Sequence, residues 1–389
     1  MIGGTAAEGR SIELAEENTV LDHDVIDLGI GEPDPAALPL GQLRQAAAHR
    51  LSNADTAPLR YGPEEGSASF RAMLAEFLTR CCRVPVHADH LMITAGASHA
   101  LDLVLSRLCR PGDAVFVEDP TYMFALDIFR DRPVRLVSVR VDEHGLDVDD
   151  LERMLAVEAP RLVYTIPVFH NPTGVTLSVQ RRRRLMELAV EHDFLVVADE
   201  VYQLTGERDA TPPPLRTVNG ERVLSLGSFS KILGPGIRLG WIEAAPHHVA
   251  RLRDAGVLHS GGGASPLMAA ILESLIDLGF QDRFLGDLWE IYRARRLHLV
   301  DVLRGVLPAE VRFTTPQGGY YIWLELPSRI DIMTLSTQAA AYGVGFRPGP
   351  LFSRRDEFTS HLRVSFSFYN EERLSLAGER LGALLRSRL

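Results

Sequence analysis

From about residue 90 onward the chain alternates short apolar runs with stretches whose apolar residues recur every three to four positions. These are the two patterns expected of buried strands and amphipathic helices. "HLMITAG" predicts a strand and "SHALDLVLSRLC" a helix. After the turn "RPGD" come "AVFVEDP" (strand), "YMFALDIFRD" (helix), "RLVSVRV" (strand), "DVDDLERMLAV" (helix) and "RLVYTIPVF" (strand). "SVQRRRRLMELAVEHDF" predicts a further helix, with strands at "FLVVADEVY", "RVLSLGSFS" and "IRLGWIEA". Runs such as "LVVAD" are apolar on both faces, so they predict a mostly parallel, doubly wound α/β sheet covered by helices. The proline-rich "ERDATPPPLRTVNGER" (207–222) predicts a surface excursion. A long helical pattern over 277–305 predicts that the chain leaves the sheet there, and "GGYYIWLELP" and "HLRVSFSF" predict strands of a smaller α+β domain. The expected division is an N-terminal segment, 1–40, associated with the small domain; a large domain, 41–280; and the C-terminal small domain, 281–389.

At 389 residues with 46% hydrophobic content, the chain can fill the cores of two domains. A net charge of -10 with acids and bases interspersed gives no electrostatic case for nucleic acid or an anionic membrane. The run Arg181–Arg184 reads as the solvated face of its helix. Cys81, Cys82 and Cys109 fit neither a metal-ligand spacing nor a disulfide framework and are expected to be reduced thiols. The histidines, including His87, His90, His247 and His248, read as surface residues, and no metal site is predicted. No basic segment followed by an apolar core opens the chain and no apolar run is long enough to cross a bilayer, which predicts a cytoplasmic protein.

Candidate chemistry starts from an exception: of 41 Lys and Arg residues only one is a lysine, Lys231 in "SFSKILGPGIRLGW". Arginine keeps its proton in proteins, whereas a lysine amine can be made neutral and attack a carbonyl to form a Schiff base. Other unusual residues fall at the carboxyl ends of predicted strands, where open α/β sheets bind ligands. In "TAGASHALDLV", Gly96, Ala97 and Ser98 open a helix whose free amides suit a phosphate, unless Ser98 is an ordinary N-cap. "FHNPTG" puts Asn171 directly after a buried strand. "LVVADEVY" ends a strand in Asp199, with Tyr202 three residues on; a desolvated acid there needs a protonated nitrogen opposite it, or a structural salt bridge. Ser228, Ser230 and Arg238 around Lys231 make an anion cradle. Together these are the parts that hold a phosphorylated aromatic aldehyde. The lysine takes its carbonyl, the aspartate its ring nitrogen, Asn171 and Tyr202 a ring oxygen, and the serines, Arg238 and helix amides its phosphate. That molecule is pyridoxal 5'-phosphate.

With those residues in hand, the chain resembles the class I/II aminotransferases of pyridoxal-phosphate fold type I, in their 2-aminoadipate or aromatic aminotransferase-like branch. The motifs "LGIGEPDP", "RYGPEEG", "TAGASHALDL", "VEDPTY", "HNPTG", "ADEVY", "SFSKILGPGIRLGW", "GGYYIWLELP" and "LRVSFS" carry the resemblance along nearly the whole chain. It implies that Lys231 carries the cofactor and moves the substrate α-proton, Asp199 partners the pyridine nitrogen, and Tyr202 and Asn171 bind the ring hydroxyl. Tyr122 of "DPTY" would stack on the ring. Gly96, Ala97, Ser98, Ser228 and Arg238 would hold the phosphate. Arg363 would grip the substrate α-carboxylate, with Gly31 close by. Tyr61 would reach the neighbouring subunit's phosphate, which implies a homodimer with shared sites.

The implied reaction moves an amino group between an L-amino acid and a 2-oxo acid. The same sites also support β- or γ-elimination, replacement, cyclisation and carbon–carbon bond formation, which the motifs do not separate. A regulatory module of this fold would add a basic helix-turn-helix segment, and the chain starts almost at once on the aminotransferase pattern. Two departures stand out. Ala97-Ser98-His99 replaces a more polar run, leaving phosphate contacts to the backbone, and "HSGGGASP" (259–266) is either a flexible turn or room for an unusual substrate.

Overall fold

The computed structural model describes residues 24–207 and 209–388. Eight strands form its large sheet: β1 Leu91–Thr94, β2 Ala114–Asp119, β3 Arg135–Asp142, β4 Gly145–Leu146, β5 Leu162–Thr165, β6 Leu195–Asp199, β7 Val223–Ser228 and β8 Gly240–Glu243. Their order across the sheet is β1-β8-β7-β6-β5-β2-β3-β4. The five strands from β7 to β3 run parallel. β8 is antiparallel to both β7 and β1, and β4 to β3. Every residue of β1, β2, β5, β6 and β7 is buried, as their two-sided apolar runs require. Helices Ala97–Leu108, Met123–Arg130, Val148–Leu155 and Val179–Glu191 connect the strands. The strand in "RLVYTIPVF" stops at Thr165. Pro167 has no N–H to continue a ladder, and the freed chain becomes a loop at the carboxyl end of the sheet.

Helix Phe280–Val306 leads to a second sheet of strands β9 Arg312–Phe313, β10 Tyr321–Glu325, β11 Arg347–Pro348 and β12 His361–Ser365, in the antiparallel order β9-β10-β12-β11. Near the amino end, Ile26–Asp27 pairs in parallel with Val344–Gly345.

Two surface expectations are corrected and a third is qualified. Arg182 of the arginine run is only 3% exposed and donates to the carbonyls of Leu177, Pro213 and Pro167. The solvated-face reading therefore fails for the one arginine that points inward, which staples the loop after β5 to the 207–222 stretch. That stretch is a surface excursion as expected, except at Pro214 and Leu215, which are buried; the Leu215 amide donates to Glu200 Oε1 at 2.7 Å and pins the excursion to the sheet. His248 is also buried, 3.1 Å from the Glu221 carbonyl oxygen.

Candidate active site

A cavity of about 390 Å³ opens beyond the carboxyl ends of β5, β6 and β7 and is closed on one side by the second sheet through Tyr321 and Arg363. Gly31, Ala97, Ser98, Tyr122, Asn171, Asp199, Tyr202, Ser228, Ser230, Lys231, Arg238 and Arg363 all line it. These residues come from eight separate stretches of sequence, and the fold brings them to one place.

Asp199 is the last residue of β6 and is buried. Its Oδ2 accepts a hydrogen bond from the Tyr164 hydroxyl at 2.7 Å, while Oδ1 is buried without a partner. Burial pushes the carboxyl up to about 6, against the pull of the Tyr164 hydroxyl, the Val201 backbone and the Lys231 charge. The hydrogen-bond partner that holds it is the Tyr164 phenol rather than a cation, and Lys231 acts on it only through its charge. An acid with one oxygen fixed and the other unused, facing a cavity, suits a protonated ring nitrogen.

Lys231 closes the short 3-10 turn Phe229–Lys231 that follows β7. Ser228 Oγ accepts from the Ser230 amide at 3.1 Å, and the Tyr320 hydroxyl donates to the Lys231 carbonyl at 2.8 Å. The lysine amine donates to the Gly31 carbonyl at 2.7 Å, so it reaches across the cavity toward the amino-terminal segment.

At the opposite end, Gly96 has φ +96° and opens helix Ala97–Leu108 with no side-chain cap, so Ser98 is not an N-cap and the first amides remain free. A Cβ on Gly96 would lie 2.9 Å from Arg238 Nη2. Arg238 is fixed by donating to the Ala95 carbonyl at 2.9 Å and the Pro235 carbonyl at 3.2 Å, and the Ser228 and Ser230 hydroxyls lie 2.9 Å apart. His99 is turned back: its Nδ1 accepts from the Ala95 amide at 3.0 Å, and burial pushes its pKa down. Free amides, two hydroxyls and one guanidinium make this end a fit for a phosphate.

Arg363, on β12, is 2% exposed. It donates to Asn171 Oδ1 and to the Gly29 carbonyl, each at 2.8 Å, and its Nε is buried without a partner. The loop that presents Asn171 is held from beneath by Glu118. That carboxylate accepts from the Thr165 hydroxyl at 2.6 Å and the Ile166 amide at 2.7 Å, with His170 Nε2 at 3.1 Å. Tyr122 lines the cavity edge-on to Phe124.

Tyr61 is elsewhere. It is 89% exposed and lies in a separate groove of about 820 Å³ with Gly261, Gly263 and Ser265. A Cβ on Gly261, whose φ is +87°, would meet the Tyr61 ring at 2.5 Å. The glycine-rich loop is thus small where Tyr61 packs, and it does not line the Lys231 cavity.

Two side chains that the sequence does not single out meet the candidate site residues: Tyr164 bonds Asp199 and Tyr321 meets Tyr202. Tyr164 sits inside a run read only as apolar, although a phenol in a fully buried strand signals a partner. Tyr321 belongs to the second sheet, and its nearness to Tyr202 and Arg363 depends on how that sheet docks.

The profile of the family "Aminotransferase class I and II" matches residues 23–385. Among similar proteins is the aromatic-amino-acid aminotransferase 1 of Thermococcus litoralis, 32% identical, with the match covering 100% of this chain and 93% of that one. The multiple substrate aminotransferase of Thermococcus profundus superposes with a TM-score of 0.88 at 32% identity, over 95% of this chain and 93% of the other. The α-aminoadipate aminotransferase of Thermus thermophilus, complexed with N-(5'-phosphopyridoxyl)-L-leucine, gives 0.86 at 32% identity, over 94% and 93%. The chain belongs to the class I and II aminotransferase family. It is a pyridoxal-phosphate enzyme of fold type I that transfers an amino group between an L-amino acid and a 2-oxo acid.

Proposed function

We propose that the Lys231 cavity is the transamination site, with the roles divided as its chemistry suggests. The observation that carries this reading is the spare, buried oxygen of Asp199 in the same cavity as the chain's one lysine. Pyridoxal phosphate supplies an aldehyde that condenses with amines and a ring that accepts the electron pair left when the substrate's α-proton departs. Lys231 would hold the aldehyde carbon, and its amine is the base in the cavity that would take the substrate α-proton and return it. Asp199 would face the ring nitrogen and favour its protonated form, and Tyr202 and Asn171 would hydrogen-bond the ring oxygen. Tyr122 would flank the ring. Gly96, Ala97, Ser98, Ser228, Ser230 and Arg238 would hold the phosphate. Arg363 takes the substrate α-carboxylate beside Gly31, using the planar fork that now faces Asn171 and Gly29.

The Arg363→Lys variant tests this division. A point charge cannot reproduce two parallel hydrogen bonds, so KM for any amino donor should rise by roughly ten- to hundredfold, with a smaller change in kcat. An unchanged KM would assign the carboxylate to another residue.

The working unit is a homodimer with shared sites, Tyr61 serving the neighbour's phosphate. The support is the exposure of Tyr61 (89%) and Leu59 (69%) in one groove, large side chains that solvent alone would leave unused. Mixing Tyr61→Ala protein with Lys231→Ala protein checks it by complementation. Each heterodimer then carries one intact site and one with both defects, so random mixing should restore about a quarter of wild-type activity, by counting. No recovery above the sum of the single variants would reject site sharing. The reading that puts residues 1–40 and 281–389 in one small domain against the large domain 41–280 is supported, for the residues from 24 on, by the Ile26–Val344 pairing; residues 1–23 lie outside the described residues. Among the described residues no helix is long and apolar enough to cross a membrane and the three cysteines form no disulfide, and we assign the enzyme to the cytoplasm, where thiols stay reduced.

A further inference from the structure

We propose that Tyr321 is a positioning residue of the active site. Its ring orients Arg363 and its hydroxyl orients Tyr202, so that one side chain holds both the clamp for the substrate carboxylate and the ligand of the cofactor's ring oxygen. The inference rests on the roles proposed above for those two residues.

Three observations converge on it. In the β10–β12 pairing Trp323 stands opposite Arg363 and Tyr321 opposite Ser365. Tyr321 is therefore the diagonal neighbour of Arg363 on the same face of the sheet. The guanidinium carbon lies 4.0 Å from the Tyr321 ring centroid, well within the range in which an aromatic face attracts and flattens a guanidinium against it. Secondly, the Tyr202 hydroxyl donates to the Tyr321 hydroxyl at 3.2 Å, and the rings meet edge to face at 5.9 Å, both buried. When Tyr202 turns its proton to a ring oxygen, the Tyr321 hydroxyl is placed to donate in its turn, so the Tyr202 oxygen stays anchored in either arrangement. Thirdly, the space for this hydroxyl is built in: a Cβ on Gly31 would collide with Tyr321 Oη, and the Gly31 carbonyl is the group that Lys231 reaches. A phenylalanine would serve for stacking alone. The hydroxyl is the part that ties the clamp to Tyr202.

Two variants separate the two jobs. Tyr321→Phe keeps the ring under Arg363 and removes the link to Tyr202, whereas Tyr321→Leu removes both. Each apoprotein is titrated with pyridoxal phosphate by tryptophan quenching, the visible band of the reconstituted protein is recorded, and KM and kcat are measured for one amino donor. For Tyr321→Phe the cofactor Kd should rise and kcat fall by about two- to tenfold, the scale of one buried hydrogen bond, with a displaced visible band and KM nearly unchanged. For Tyr321→Leu, KM should rise as well, by about three- to thirtyfold. A Tyr321→Phe protein with wild-type band, Kd and kcat overturns the proposal, and the loss of a single atom leaves its folding in no doubt. If Arg363→Lys itself left KM at the wild-type value, the carboxylate clamp would fail. Unchanged Tyr321 variants beside a defective Arg363→Lys protein would sink this proposal alone.

Discussion

The Lys231→Ala protein is expected to retain no cofactor covalently and to lose activity by about 10³-fold or more, since a positioned acid–base group alone contributes on the order of 10²–10⁴ and the attachment point is lost with it. Because Lys231 is the only lysine, the chemistry has a simple readout. Borohydride reduction of the wild-type holoenzyme should fix one pyridoxyl group on the tryptic peptide 223–238, which trypsin would then leave uncut at Lys231. The variant should take up none. Stoichiometric labelling at the N-terminal amine instead would show that the lysine's isolation in this arginine-rich chain has another cause.

Asp199→Asn carries the second large effect, and it should separate function from stability. In the folded apoprotein burial holds the Asp199 carboxyl up at about 6, against 3.8 for an ordinary aspartate. A folded value above the unfolded one means that this group favours the fold below pH 3.8, and that its contribution is lost as the pH rises to about 6. At pH 8 the apoprotein therefore bears a buried, half-satisfied charge that asparagine would remove, for a gain on the order of 1–3 kcal/mol. The Asp199→Asn apoprotein should melt at or above the wild-type temperature at pH 8, with the difference shrinking at pH 4. Its transamination rate should fall by roughly 10²-fold or more, because the ring nitrogen loses the charge that keeps it protonated. A variant that is destabilised yet fully active would make Asp199 a structural acid.

Much of this site could be read from the chain because each motif is local. Asp199 and Tyr202 lie three residues apart at a strand end, and Ser228, Ser230 and Lys231 share one turn, so their roles follow from short-range spacing. The parallel sheet was legible for the same reason: β5, β6 and β7 are apolar on both faces because helices cover both. What the sequence hid are pairings between distant segments. Tyr164 reaches Asp199 across 35 positions, and Tyr321 reaches Tyr202 across 119. Neither tyrosine's neighbours in the chain announce the contact. The burial of Arg182 is not legible in the sequence, because helical periodicity places its Cα on an amphipathic helix without telling that three carbonyls of the adjacent loops lie within its reach.

The central claim, amino-group transfer at the Lys231 site, is tested most directly by following the cofactor's visible absorbance when purified holoenzyme meets a reactive L-amino acid with no 2-oxo acid present. The account predicts one turnover: the visible band disappears, one equivalent of 2-oxo acid appears per site, and adding a 2-oxo acid acceptor restores the band. Continuous product formation from the amino acid alone, with the visible band persisting, would contradict it.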